Sequence, residues 1–287
     1  MEAQRGYRFA LSSQNDEHNE QINLYEQAFA LLGFAWHYRL IGTKESLKKM
    51  EAIYQYIESH LADDEFGGFY LTNDGSNKKG QNPHMHLFEA LMVSYEHTDN
   101  EIWLKRAERI YELFSTKFMQ HNHLAEFFNQ DFSLNEKTGK QIDPGHHYEW
   151  IWLLNHYQKL TGSNVENYIQ VLYRFAQKFG HNENGLVRDE VFADGKPCRS
   201  TSRLWCQTEY LKACVALWER NPTTERQFAI SHAVEQIFNY YINPAKPGLW
   251  VDQLDEYGVV INEHAPASTF YHLFLAFSEV LKLESEG

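Results

Sequence analysis

The sequence predicts an all-α fold, an (α/α)6 toroid with short β-hairpins between its helix pairs, on three observations. A strand-like unit recurs along the chain, two helical segments separate successive copies, and those two segments spread their apolar residues differently. The unit reads Gly6-Tyr-Arg-Phe-Ala10, Gly67-Gly-Phe-Tyr-Leu71, His123-Leu-Ala-Glu-Phe127, Gly185-Leu-Val-Arg-Asp189 and Gly248-Leu-Trp-Val-Asp252. Its copies lie roughly 60 residues apart, in the range of stacked helix-pair repeats. Asn73-Asp-Gly75, Ala193-Asp-Gly195 and Glu256-Tyr-Gly258 are turn signals that follow, so each unit is expected to open a small hairpin.

The first helical segment of each pair is apolar nearly all round: 24–38, 84–95, 146–157, 204–218 and, at the end of the chain, 267–281. Such helices are buried on most sides. The second is amphipathic. Leu47, Met50, Ile53, Tyr54, Ile57 and Leu61 form one stripe, with Lys48, Lys49, Glu51 and Glu58 off it. Segments 103–118, 168–179 and 228–242 follow the same pattern. Alternating buried and half-buried helices predict two concentric layers, with the ends of the buried helices around a cavity. No low-complexity stretch or shift in composition marks a boundary, so 1–287 is expected to be a single domain. Four pairs and one terminal helix fall short of a six-pair ring, so the N-terminal part of the ring is expected to be missing.

Composition narrows the function. A net charge of −13, from 26 basic and 39 acidic residues without a basic cluster, speaks against nucleic acid as a partner. The 15% of aromatic residues suits large helix cores or a cavity that stacks on sugars. Cys198, Cys206 and Cys214 are odd in number and lack Cys-x-x-Cys spacing, which predicts free thiols and a reducing compartment. Residues 1–10 lack the apolar core of a signal peptide and no run is long enough to span a bilayer. A cytoplasmic protein without a membrane partner is expected; homo-oligomer formation is left open.

Ionisable residues gather where the buried helices begin. Asp143-Pro-Gly-His-His-Tyr-Glu149 places His146 and Glu149 three apart, on one helix face. Asn82-Pro-His-Met-His-Leu-Phe-Glu89 does the same with His86 and Glu89, and Arg203-Leu-Trp-Cys-Gln-Thr-Glu209 with Cys206 and Glu209. Ala265-Pro-Ala-Ser-Thr-Phe-Tyr-His272 brings His272 into the first turns of the last helix. Burying such groups is costly without partners, so His86, His146 and His272 are expected to share a polar pocket. His84 and His147 point elsewhere on their helices and are expected to be structural. Glu89, Glu149 and Glu209 have two readings: stabilisation of a helix N-terminus, or orientation of a histidine. The chain has no His-Glu-x-x-His, no carboxylate-rich cation loop and no Walker or Gly-x-Gly-x-x-Gly loop, so neither metal nor cofactor is expected.

These four motifs, in this order, resemble the N-acylglucosamine 2-epimerase superfamily from about Gly6 to the C-terminus. The resemblance implies an (α/α)6 barrel and a sugar isomerase or epimerase acting on a monosaccharide. It makes His146 and His272 the acid/base pair, with Glu149 supporting His146. Asn82 and His86 become sugar contacts and Trp205 an aromatic pocket wall, with Glu89, Gln207 and Glu209 completing the expected binding set. The family's N-terminal segment, with an Arg that reaches the sugar, has no counterpart before Gly6. The chemistry suits histidine independently, because an aldose–ketose exchange through a cis-enediol needs a base near neutral pKa and a proton donor at the oxygens. D-Mannose to D-fructose is the leading expectation. C2 epimerisation, a truncated sugar-binding relative, and a glycosidase using paired carboxylates are the alternatives.

Overall fold

The structure is a computed structural model that describes residues 6, 7, 21–262 and 264–285. The chain forms two compact units, one running through Gln120 together with Ala125–Lys140, the other His121–Leu124 together with everything from Gln141 onward.

The first unit contains α1 (Leu24–Ile41), α2 (Lys44–His60), α3 (Gln81–Thr98) and α4 (Glu101–Leu113), the last running into a π-helical turn at Phe114–Phe118. α1 packs beside α3, with α2 against α1 and α4 against α3. The layering follows from the apolar patterns. In α3 every residue from His84 to Ser94 is buried, whereas α4 buries only Trp103, Leu104, Ala107 and Ile110, one stripe at helical spacing. The second unit contains α5 (Pro144–Thr161), α6 (Glu166–Phe179), α7 (Leu204–Arg220), α8 (Thr224–Ile237) and α9 (Ala267–Ser285), with a second π-helical turn at Phe238–Ile242. α7 packs between α5 and α9, while α6 lies against α5 and α8 against α7. Four of the five segments expected to be apolar all round are the first helices of their pairs, and the fifth is the terminal α9; α1 and α9 differ from expectation in leaving one side exposed, at Trp36, Leu40 and Ile41 and at Phe270, Phe274 and Leu281.

The connections repeat as closely as the helices. After each second helix the chain turns back, and a backbone N–H bonds a carbonyl at the end of that helix. The pairs are Tyr70 to Leu61, Ala125 to Phe118, Arg188 to Gly180 and Val251 to Tyr241, at 2.7–2.9 Å. The first N–H of a buried helix, unpaired within the helix itself, donates forward to the following connection. Leu24 reaches the carbonyl of Leu71, Gln81 that of Glu126 and Leu204 that of Asp252. α1, α3 and α7 are thus each tied to the connection that follows through backbone.

The hairpins differ from expectation in position. β1 (Lys79–Gly80) pairs with β2 (Phe127–Phe128), β3 (Gln141–Ile142) with β4 (Glu190–Phe192), and β6 (Ser202–Arg203) with β7 (Gln253–Leu254). True hairpins are β4–β5, with β5 at Pro197–Arg199, and β7–β8, with β8 at Val260–Asn262. Their turns are the predicted ones, with Gly195 at φ 86° and Gly258 at φ 84° supplying the left-handed conformation. The recurring sequence units sit just before these strands and are mostly extended connection: Phe69 makes only an isolated bridge to Ala62, and Val187 one to His181. The first copy falls outside the described residues except for Gly6 and Tyr7.

Candidate active site

Counting from the first residue of each buried helix exposes a rule. The fourth residues of α1, α3, α5 and α7 are Gln27, His84, His147 and Gln207, and each fastens its helix to the preceding connection. Gln27 accepts the N–H of Tyr7 and donates to its carbonyl (2.9 and 2.7 Å). Gln207 does the same to Val187 (2.8 and 2.9 Å) and donates also to the carbonyl of Arg203. His84 Nε2 accepts the N–H of Phe69 at 2.9 Å, so its proton is on Nδ1, which donates to the Gly80 carbonyl at 2.7 Å. His147 repeats the arrangement with Leu124 N–H and the Asp143 carbonyl. Burial, with the nearby charge of Lys79 adding to it, lowers the pKa of His84 to about 4. Both histidines are bonded to the main chain through each ring nitrogen. Gln207, expected among the sugar contacts, is a fastening residue whose amide is engaged with backbone.

The sixth residues are chemically different. In the second unit they are Glu149 on α5, Glu209 on α7 and His272 on α9, and one ligand atom from each lies within 4.8 Å of the others. Glu209 Oε1 accepts from His272 Nδ1 at 2.7 Å, which fixes the tautomer and leaves the lone pair on Nε2. The other oxygen, Oε2, is 2.7 Å from the ammonium of Lys212, which is also 3.9 Å from Glu149. Burial alone would raise the carboxyl of Glu209; Lys212 and His272 together hold it below its ordinary value. Two carboxylates and an imidazole at this spacing suit a cation, and Lys212 supplies one, so the group is a charge cluster built from side chains.

His146, the third residue of α5, completes the site. Its Nδ1 is 3.6 Å from Asp143, which precedes the helix. Its ring packs against the indole of Trp205, centroids 5.0 Å apart, and His272 packs against the same indole at 5.6 Å. Gly145 makes this possible: a Cβ there would sit 2.7 Å from the Trp205 ring and 3.1 Å from the Cys206 sulfur. Beneath Trp205, buried Asp189 accepts from Thr201 Oγ1, Gln253 Nε2 and the N–H of Arg203 at 2.5–2.7 Å, and its carboxylate lies 3.2 Å from Arg203 Nε. The Arg203 guanidinium is thereby held over Trp205. Burial, reinforced by Asp189, pushes the Cys206 thiol well above its usual pKa, so it stays neutral.

In the first unit the sixth residue of α3 is His86. Its Nδ1 is 3.6 Å from Glu89, and its ring packs on Tyr25 and on Phe29, the sixth residue of α1. Asn82 opens α3 one residue after Gln81, whose amide donates to Glu126 at 2.7 Å.

The helix starts correct the register read from sequence. His86 was matched to His146 because each precedes a Glu by three residues, but α3 starts at Gln81 and α5 at Pro144. His86 is therefore a sixth residue, equivalent to Glu149, Glu209 and His272, and His146 is a third, equivalent to Cys206. Three residues are almost one helical turn, so both registers put the side chains on the same face and periodicity cannot separate them. Glu149, expected beside His146, belongs with Glu209 and His272. Asp143, Asp189, Arg203 and Lys212 were missed. Asp143 stands three residues before His146, the spacing already used for Glu149. Lys212 is a lone cation in the run Leu211-Lys-Ala-Cys-Val215, and both signals were available.

The family model described as N-acylglucosamine 2-epimerase matches residues 1–276. A protein named mannose-6-phosphate isomerase from Rhizobium meliloti (strain 1021) is 32% identical over 271 residues, covering 90% of this chain and 70% of that protein. A D-mannose isomerase from Marinomonas mediterranea is 26% identical, covering 92% of this chain and 72% of the relative. A crystal structure of a D-mannose isomerase superposes with a TM-score of 0.84 at 24% identity, over 94% of this chain and 74% of that one. The shared fold is the helix-pair barrel class predicted from the repeat.

Proposed function

This chain belongs to the N-acylglucosamine 2-epimerase family, and from that premise we propose that it interconverts an unphosphorylated aldose and its ketose, D-mannose and D-fructose first. Enzymes of the sugar isomerase and epimerase class are its relatives, and it is an enzyme of that class. The observation that carries the finer reading is the pair His146 and His272, each with a carboxylate at Nδ1 and both packed on one indole.

The two carboxylate contacts differ in length, and the shorter one supports His272 as the base. His272 has a full hydrogen bond from Nδ1 to Glu209, which strengthens Nε2 as a base. His146 Nδ1 lies 3.6 Å from its carboxylate, against 2.7 Å for His272. His272 takes the proton from C2 of the open-chain aldose, leaving a cis-enediol, and returns it to C1. His146 donates to and accepts from the sugar oxygens as the ring opens and the carbonyl moves. One strong base returning its proton on the same face gives isomerisation; two matched bases on opposite faces would give the C2 epimer.

The charges favour a neutral sugar. Asp143, Glu149, Asp189 and Glu209 outnumber Arg203 and Lys212, and both cations are engaged with carboxylates. A phosphate dianion would meet net negative charge.

Proton NMR of the chain with D-mannose in D2O, beside D-mannose 6-phosphate, tests the reading. Fructose from mannose, with slower turnover of the phosphate ester, is expected. Glucose as the product, or faster turnover of the phosphate, would overturn it.

A further inference from the structure

Among the described residues two lysines bury their ammonium, and they do so for different ends. Lys79 is bonded to Asp63 and the Gly67 carbonyl, both at 2.6 Å, and ties down a connection. Lys212 is fully buried in the middle of an apolar helix, its ammonium 4.0 Å from the centre of the Trp152 ring. Burying an ammonium is costly, and a leucine or methionine would fill the same space. What Lys212 touches is the carboxylate that holds His272: Oε2 of Glu209 faces the ammonium while Oε1 faces the imidazole.

We propose that Lys212 is a positioning residue for His272, pinning one oxygen of Glu209 so that the other meets Nδ1, and offsetting the carboxylates so that His272 stays an available base. The inference rests on the reading that His272 takes the substrate proton. Two carboxylates within 4.8 Å of an imidazole, without a countercharge, favour the imidazolium, which has no lone pair to offer. Glu149, Glu209 and Lys212 sum to one negative charge; removing the lysine leaves two.

Among the described residues, the other ionisable groups around His272 do not supply that offset. α9 itself contributes the phenol of Tyr271, and Asp252 lies against the first turn of α9 through Thr269. His146 meets the far partner of the stack, Trp205, and Arg203 lies over that indole but is bound to Asp189. Cys206 is a neutral thiol, and the buried residues of α8 are Ile230, Ala233, Gln236 and Ile237, none ionisable.

The test is a titration of the His272 imidazole by 15N–1H NMR, assigned with His272→Gln, in the parent chain and in Lys212→Met and Lys212→Arg. The pH profile of kcat/KM for mannose is measured alongside. Lys212→Met is expected to raise the His272 midpoint by about one pH unit, so that roughly ten times less free base is present below the midpoint. It moves the acid limb of kcat/KM up by the same amount, while Lys212→Arg returns both. Should Lys212→Met fail to fold, Glu149→Gln serves, because loss of a carboxylate lowers the midpoint. A midpoint that stays put in a folded variant overturns the proposal and leaves Lys212 a packing residue. A midpoint that moves while the limb stays supports the link through Glu209 and overturns His272 as the base, so the two failures are told apart.

Discussion

The fourth residues of α1, α3, α5 and α7 and the sixth residues of α5, α7 and α9 are all buried polar side chains at neighbouring helix positions, yet their bonds end in different places. Gln27, His84, His147 and Gln207 end on backbone. Glu209 ends on His272 and on Lys212, and Glu149 lies 3.9 Å from the same lysine. The comparison teaches that neither histidine content nor burial marks a site. A side chain whose polar atoms all meet the main chain is held by the fold and has nothing left for a substrate. One held by another side chain is oriented by a group that can itself be charged, as Glu209 orients His272.

The largest effect that can break this comparison comes from exchanging the two kinds of histidine. His272→Gln keeps the volume and a hydrogen bond to Glu209 but removes the proton acceptor. Loss of turnover of about a thousand-fold is expected, with the thermal midpoint within a degree or two of the parent. His147→Gln, by analogy with Gln207, should leave kcat close to unchanged. Equal loss in both variants, read from progress curves and melting scans, would dissolve the distinction.

A smaller effect sharpens it from the side of stability. His84→Leu leaves the Phe69 N–H and the Gly80 carbonyl without their partner in a dry interior, at a cost of about 3 kcal/mol. Urea unfolding should show the lowered midpoint, while KM for whatever sugar the chain turns over stays as it was. A change in KM with stability retained would place His84 in the site instead.

Much of this was legible in the sequence. Nine helices among the described residues, their pairing, their layering and the turns at Gly195 and Gly258 followed from apolar spacing and turn residues, because those signals are local. The strand positions were not, since a strand two or three residues long is fixed by its partner rather than by its own composition. The motif residues His146, Trp205, Glu209 and His272 do come together. Their supports were hidden because a carboxylate or lysine acquires its meaning from what faces it across a helix pair. Glu209 and His272 are 63 residues apart and share a hydrogen bond, and no periodicity on either helix reports that. The misplaced register of His86 has the same origin: a His-x-x-Glu pattern fixes a face, and only the helix start fixes a level.

The finest separation of the two positions is by acid. Burial holds His84 near pKa 4, below the ordinary histidine value of 6.5, so the folded chain refuses a proton that the unfolded chain accepts between those two values. Stability from this residue is complete above pH 6.5, falls as the pH drops towards 4, and levels off below. Between pH 7 and pH 5 the loss is about 2 kcal/mol. Chemical unfolding at the two pH values should show it in the parent chain. In a His84→Gln variant, built on the fastening that Gln27 and Gln207 already use, that part of the acid sensitivity should be gone. The same substitution leaves the Glu209–His272 pair untouched, so the acid limb of catalysis should stay in place. If both sensitivities vanished together, the fourth and sixth positions would be one electrostatic unit rather than a fastening and a site.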